Sequence, residues 1–126
     1  MTRINCVPPT ILTVKHLVAE YRELPRVFGL VRQAQEKGLV VSDIDIPSNY
    51  VLGKGHVKFF YNKLLYLLDR QISLINEMKS RGYNPFHDKP DGLIEGLDRM
   101  WLNNWLPNES DHAINMARLI ERGHNG

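Results

Sequence analysis

At 126 residues, with 43% hydrophobic and 24% charged content, the chain can bury its own core and has the make-up of a soluble globular domain. A net charge of +2 and a pI near 8.8 permit a nucleic-acid partner without requiring one. The single cysteine, Cys6, excludes an intrachain disulfide and an all-cysteine metal site; no apolar run approaches the roughly 20 residues that span a bilayer, and residues 1–5 lack the apolar core of a secretory signal.

The expectation is therefore a soluble, cytoplasmic monomer with no membrane partner, folded as one domain over residues 1–126. Residues 1–12 read as an extended arm, because Pro8-Pro9 excludes a helix there. A helix follows with Thr10 or Thr13 as N-cap and runs over about 13–37, kinked at Pro25, which removes a backbone donor and orphans the Tyr21 carbonyl. Gly38 is its stop. Pro47 and Gly53-Lys54-Gly55 make 39–55 a connector. A second helix spans about 56–81, closed by Gly82, with a dense apolar set (Val57, Phe60, Leu64, Leu67, Leu68, Ile72, Ile75, Met78) that marks it as the core helix. Residues 83–106 are irregular, with helical turns at Leu93 to Leu97 and Asp98 to Leu102, and with Trp101 and Trp105 anchored on the core. The third helix spans about 109–122, with Asn108 as N-cap, Glu109 and Asp111 in its first turn and Gly123 as stop. No strand pair is evident. The class is all-α: three main helices, long irregular connectors and an extended N-terminal arm.

Several signatures are absent. Gly53-Lys54-Gly55-His56 lacks the spacing and ending of a phosphate-binding loop. The five histidines are scattered and no H-E-x-x-H occurs, so no metal site is expected; His16 and Glu20, four apart, lack further ligands. His56 reads as a buried, hydrogen-bonded structural residue, Phe59-Phe60-Tyr61 as core packing, and Asp91 and Asp98 as solvated loop charges.

The densest chemistry lies at 16–29. On a helical wheel His16, Glu20 and Glu23 fall within about 60° of one another, opposite Val14, Leu17, Val18, Tyr21 and Leu24. Taken alone, such a stripe is a solvated helix face. Two features raise it above that: Pro25 re-aims the side chains beside Glu23, and Arg3, Lys15, Arg22, Arg26 and Arg32 concentrate positive charge where phosphates could be held. The N-terminus adds a nucleophile. Met1 precedes a small residue and is of the kind commonly removed, which would give Thr2 a free α-amine. Such an amine is about 10–15% unprotonated at pH 7, against below about 0.1% for lysine, and neighbouring arginines raise that fraction. It can attack an electrophilic carbon and form an imine.

MTRIN at 1–5, HLVAEYRELPRVFG at 16–29, LGKGHVKFFYNKL at 52–64, RQISLI at 70–75 and MKSRGY at 78–83 resemble the phage-type endonuclease V family. These are pyrimidine-dimer DNA glycosylases with an associated apurinic/apyrimidinic lyase. The resemblance is nearly gapless over 1–83 and returns at Ala117-Arg118-Leu119. It implies that the Thr2 α-amine attacks C1′ of the damaged nucleotide, displacing the base and forming an imine. Glu23 then acts as acid/base for ring opening and β-elimination. It further implies catalytic support from His16, Arg22 and Arg26, and DNA contacts from Arg3, Arg22, Arg26, Arg118 and Arg122. No metal or diffusible cofactor is implied; the partner is double-stranded DNA carrying a lesion, kinked and with a base extruded opposite it. The chain departs from the family at Gln33 (lysine in the pattern), at Lys15 (glutamine) and over 84–106, which align poorly. The phage-type enzyme also continues beyond Gly123-His124-Asn125-Gly126 with an aromatic, basic tail. These departures bear on substrate choice, leaving abasic sites, another damaged base or a non-catalytic DNA-binding role as alternatives.

Overall fold

The computed structural model describes residues 2–123; the proposed removal of Met1 and the ending His124-Asn125-Gly126 lie outside the described residues. Thr13 opens the first helix, its hydroxyl accepting the His16 amide at 3.3 Å. Helix α1 runs Val14–Glu23 and α2 follows at Pro25–Glu36, joined by Leu24 in right-handed helical geometry. The expected 13–37 helix is thus two abutting helices, with proline in the first turn of the second, where its missing N–H costs least. The Tyr21 carbonyl does lose its helical donor, and Gln71 Nε2 replaces it at 3.0 Å. A left-handed Gly38 (φ 82°) closes α2, and the Leu39 and Gly38 amides donate to Ala34 and Gln35 carbonyls at 3.1 and 2.9 Å.

The expected 56–81 helix is broken. Helix α3 covers His56–Phe59 and α4 covers Leu64–Ser80, with residues 60–63 in a turn. Breaking the helix lets Phe59, Phe60 and Leu64 all reach the core, where they are at most 2% exposed. The Phe59 carbonyl, stranded by the break, accepts from Lys63 Nζ at 2.8 Å instead. The arm is also less extended than expected, because Pro9–Ile11 makes a 3-10 turn. Further such turns occupy Val41–Asp43, Pro90–Ile94 and Arg99–Trp101; the turn expected at 93–97 lies earlier, at 90–94, while the one expected at 98–102 is present with Asp98 and Leu102 as its caps. Helix α5 (Glu109–Glu121) starts as expected, Asn108 and Asp111 exchanging side-chain to amide bonds of 2.9 Å.

Among the described residues there is no β-strand, and the class is all-α. Helix α4 packs against α1 and the Pro90–Ile94 turn. Trp101 is fully buried, while Trp105 is partly buried and packs against Tyr50, Phe59, Phe60 and Tyr66. The 90–101 stretch is strapped across α2: Arg32 donates to the Leu93 and Glu95 carbonyls, and Gln35 bonds Gly96, Asp98 and Trp101. Among the described residues no helix is long and apolar enough to cross a membrane.

Candidate active site

An extended arm without a sheet partner must still satisfy its backbone polar groups, and here side chains from four elements do so. The Ile4 amide donates to His56 Nε2 at 2.8 Å and the Ile4 carbonyl accepts from the Tyr50 hydroxyl at 3.1 Å. The Cys6 and Val7 amides share Asn115 Oδ1 of α5 at 2.7 and 3.1 Å, and Arg70 of α4 donates to the Val7 carbonyl at 2.6 Å. Asn5 itself is sandwiched: its Nδ2 donates to Glu20 Oε1, and its Oδ1 accepts from Asn115 Nδ2, both at 2.7 Å. Arg70 closes the network with a two-pronged bond to Glu20 at 2.7 and 3.0 Å. Burial alone would lower the Arg70 guanidinium, but the Glu20 charge and hydrogen bonds outweigh it and hold the group above its ordinary value.

His56 is placed by its neighbour. Gly55 has φ 89°, a left-handed geometry, and a Cβ there would lie 3.0 Å from Pro47 Cγ. An amide can only donate, so His56 Nε2 is the unprotonated nitrogen and Nδ1 donates to the Val51 carbonyl at 2.7 Å. Burial lowers its pKa and favours this neutral form. The reading of His56 as a hydrogen-bonded core residue fits this geometry. Burial also pushes the Cys6 thiol up to about 12, so it is a neutral apolar filler rather than a nucleophile.

Glu20 therefore departs from the solvated stripe read from the wheel: it is 2% exposed and committed to Arg70 and Asn5. Glu23, one turn on, is half-buried. It shares a cavity of about 240 Å³ with Arg3, His16 and Arg122, while Asn5 and Glu20 of the network line the same space. Arg3 follows Thr2, itself half-buried. Desolvation, then the nearby charges of Arg122 and Arg118, pull the Arg3 guanidinium below its ordinary value, while Glu23 opposes the shift. The Glu23 carboxylate thus shares its cavity with two arginines, Arg3 of the arm and Arg122 at the C-cap of α5. Among the described residues no hydrogen bond or ion pair engages the Glu23 carboxylate, whereas Arg118 is paired with Glu121 at 3.4 Å.

Arg22 and Arg26 are exposed and lie outside this cavity. Arg22 instead lines a second, mostly apolar cavity of about 480 Å³ with Tyr21, Pro25, Gln71, His87 and Lys89. Gln71, 2% exposed, lines it as well, and among the described residues its buried Oε1 has no hydrogen-bond partner, which is unfavourable. Arg32, counted from sequence among possible phosphate holders, is spent on the 90–101 strap. Asn5, Arg70, Gln71 and Asn115 were not singled out from sequence. Their signal was register: Arg70 and Gln71 share the buried face of α4 with Leu67, Leu74 and Ile75, and Asn115 stands one turn from buried Leu119.

Among the described residues no group of three His, Cys, Asp or Glu side chains is arranged to hold a metal ion. A sequence model of the family described as pyrimidine dimer DNA glycosylase matches residues 1–91, a span that includes the arm, Glu20, Glu23, His56 and Arg70.

Proposed function

The chain belongs to the pyrimidine dimer DNA glycosylase family, and on that premise we propose that it excises a damaged base through the Thr2 α-amine and then nicks the strand. Membership supports DNA repair by a glycosylase; the imine, the lyase step and the residue roles are our reading. The observation that carries it is the placement of Arg3, covalently next to Thr2, in the same cavity as Glu23.

With Met1 removed, the Thr2 amine lone pair forms a bond to C1′ as the C1′–base bond breaks and the base departs with its bonding pair. Ring opening, with a proton delivered to the ring oxygen, yields an imine between Thr2 and the sugar. The protonated imine then draws electrons from C2′: Glu23 takes the C2′ proton, and the C3′–oxygen bond breaks to release the 3′ strand. Arg3, Arg118 and Arg122 supply positive charge for flanking phosphates and favour the unprotonated amine. His16 supports the lyase step from the cavity wall. Arg22 and Arg26, exposed on the same two helices, hold phosphate outside it. The second cavity, with its unpartnered Gln71 Oε1 and its cations Arg22 and Lys89, suits a base extruded from the opposing strand.

The test is strand cleavage on three duplexes carrying a cyclobutane pyrimidine dimer, an abasic site or an oxidised base. The proposal expects the dimer duplex to be cleaved. Cleavage of the abasic duplex alone would reduce the protein to a lyase, and cleavage of none would make it a DNA-binding homologue without catalysis.

A further inference from the structure

Phe86 is 89% exposed in a protein that buries Phe28, Phe59, Phe60 and Trp101 to 2% or less. Its exposure does not come from a loose segment. Pro85 and Pro90 bracket it. The His87 amide donates to the Tyr21 hydroxyl at 2.7 Å, and that hydroxyl donates back to the His87 carbonyl at 3.4 Å. Asp88 pairs with Lys79 at 3.2 Å. The Phe86 ring itself meets the His87 ring edge-on, with centroids 4.8 Å apart. An apolar ring is thus displayed on a backbone pinned to α1 and α4, so little conformational freedom remains to be lost on binding.

What lies beside it points to the partner. His87 lines the 480 Å³ cavity whose cations are Arg22 and Lys89, so the ring stands next to groups suited to phosphate. A planar hydrocarbon face beside a cavity that carries Arg22 and Lys89 complements a nucleic acid, whose bases stack and whose backbone is anionic. Leu106, equally exposed at 89%, has no π face to offer.

We propose that Phe86 is a stacking wedge that enters the base stack of the bound duplex beside the lesion. This rests on the DNA-repair reading above. When a base leaves the duplex for the cavity, a gap one ring thick opens in the stack; the Phe86 ring fills it and keeps the gap from closing.

The experiment measures affinity of the full-length protein for a duplex containing a tetrahydrofuran abasic analogue, which cannot form the imine. Phe86→Ala is expected to weaken binding about tenfold. The salt slope should not change, because the ring displaces no counterions. Phe86→Trp should bind within about twofold of the unaltered protein, and its emission should be quenched by the duplex beyond any change from Trp101 and Trp105. Phe86→Leu, apolar but unable to stack, should not restore affinity. Unfolding of each variant at an unchanged denaturant midpoint confirms that only the surface was altered. Unchanged affinity in Phe86→Ala, or an unquenched Phe86→Trp in the bound state, overturns the wedge alone. Failure of the unaltered protein to bind the duplex overturns both the wedge and the DNA-repair reading.

Discussion

Two carboxylates three residues apart on α1 meet opposite surroundings. Glu20 is fully engaged, held by Arg70 and Asn5 in a network that also grips the backbone of Cys6 and Val7. Glu23 faces a cavity whose cationic walls, Arg3 and Arg122, come from the arm and the end of the last helix. The first region fixes where the arm runs; the second is where the arm ends up. Burial separates them. A carboxylate taken out of water has to be matched by a partner, whereas one at a cavity wall can stay uncommitted until substrate arrives.

The two carboxylates differ most in what their loss does. Glu23→Gln should cut lesion-duplex cleavage by about 10²- to 10⁴-fold, the usual worth of a positioned acid/base, while leaving the unfolding midpoint and duplex binding unchanged. A fall in stability of similar size to that of a buried-pair variant would show Glu23 to be structural. Arg70→Leu is the opposite case. It strands the Glu20 charge and should cost roughly 3–5 kcal/mol in urea unfolding; a loss under about 1 kcal/mol would contradict the network. Asn115→Ala removes the acceptor of the Cys6 and Val7 amides and should cost about 1–3 kcal/mol. Activity should fall with it, although Asn115 does not line the Glu23 cavity.

Two smaller effects sharpen the contrast. His56 is held neutral in the fold, so its pKa is lower folded than unfolded. The unfolded chain then binds more protons between the two values, so stability should decline as pH falls below about 6.5. His56→Gln should flatten that decline in denaturation measured from pH 7.5 to 5. Arg26→Ala, in the exposed group, should leave stability alone and reduce the salt slope of duplex binding by about one phosphate contact.

Elements set by local chemistry were legible in the sequence. Asn108 and Thr13 cap as their side chains dictate, Gly38 and Gly82 terminate, and Pro25 divides the first helical stretch. The break at 60–63 was not legible. The apolar spacing of 56–81 fits one helix well, and only the burial of Phe59, Phe60 and Leu64 together demands two. The arm network was equally hidden, since Asn115 reaches Cys6 across 109 residues of sequence and Arg70 reaches Val7 across 63. The wheel placed Glu20 beside Glu23, but it carries no information about which of two neighbours meets an arginine from another helix.

In the proposed mechanism the buried network delivers the Thr2 amine to Glu23. Borohydride trapping on an abasic or dimer-containing duplex, followed by peptide mapping, tests it directly. A covalent adduct is expected on the Thr2 α-nitrogen, abolished when Met1 is retained and sharply reduced in Asn115→Ala. An adduct on a lysine side chain, or one that survives with Met1 in place, would contradict it.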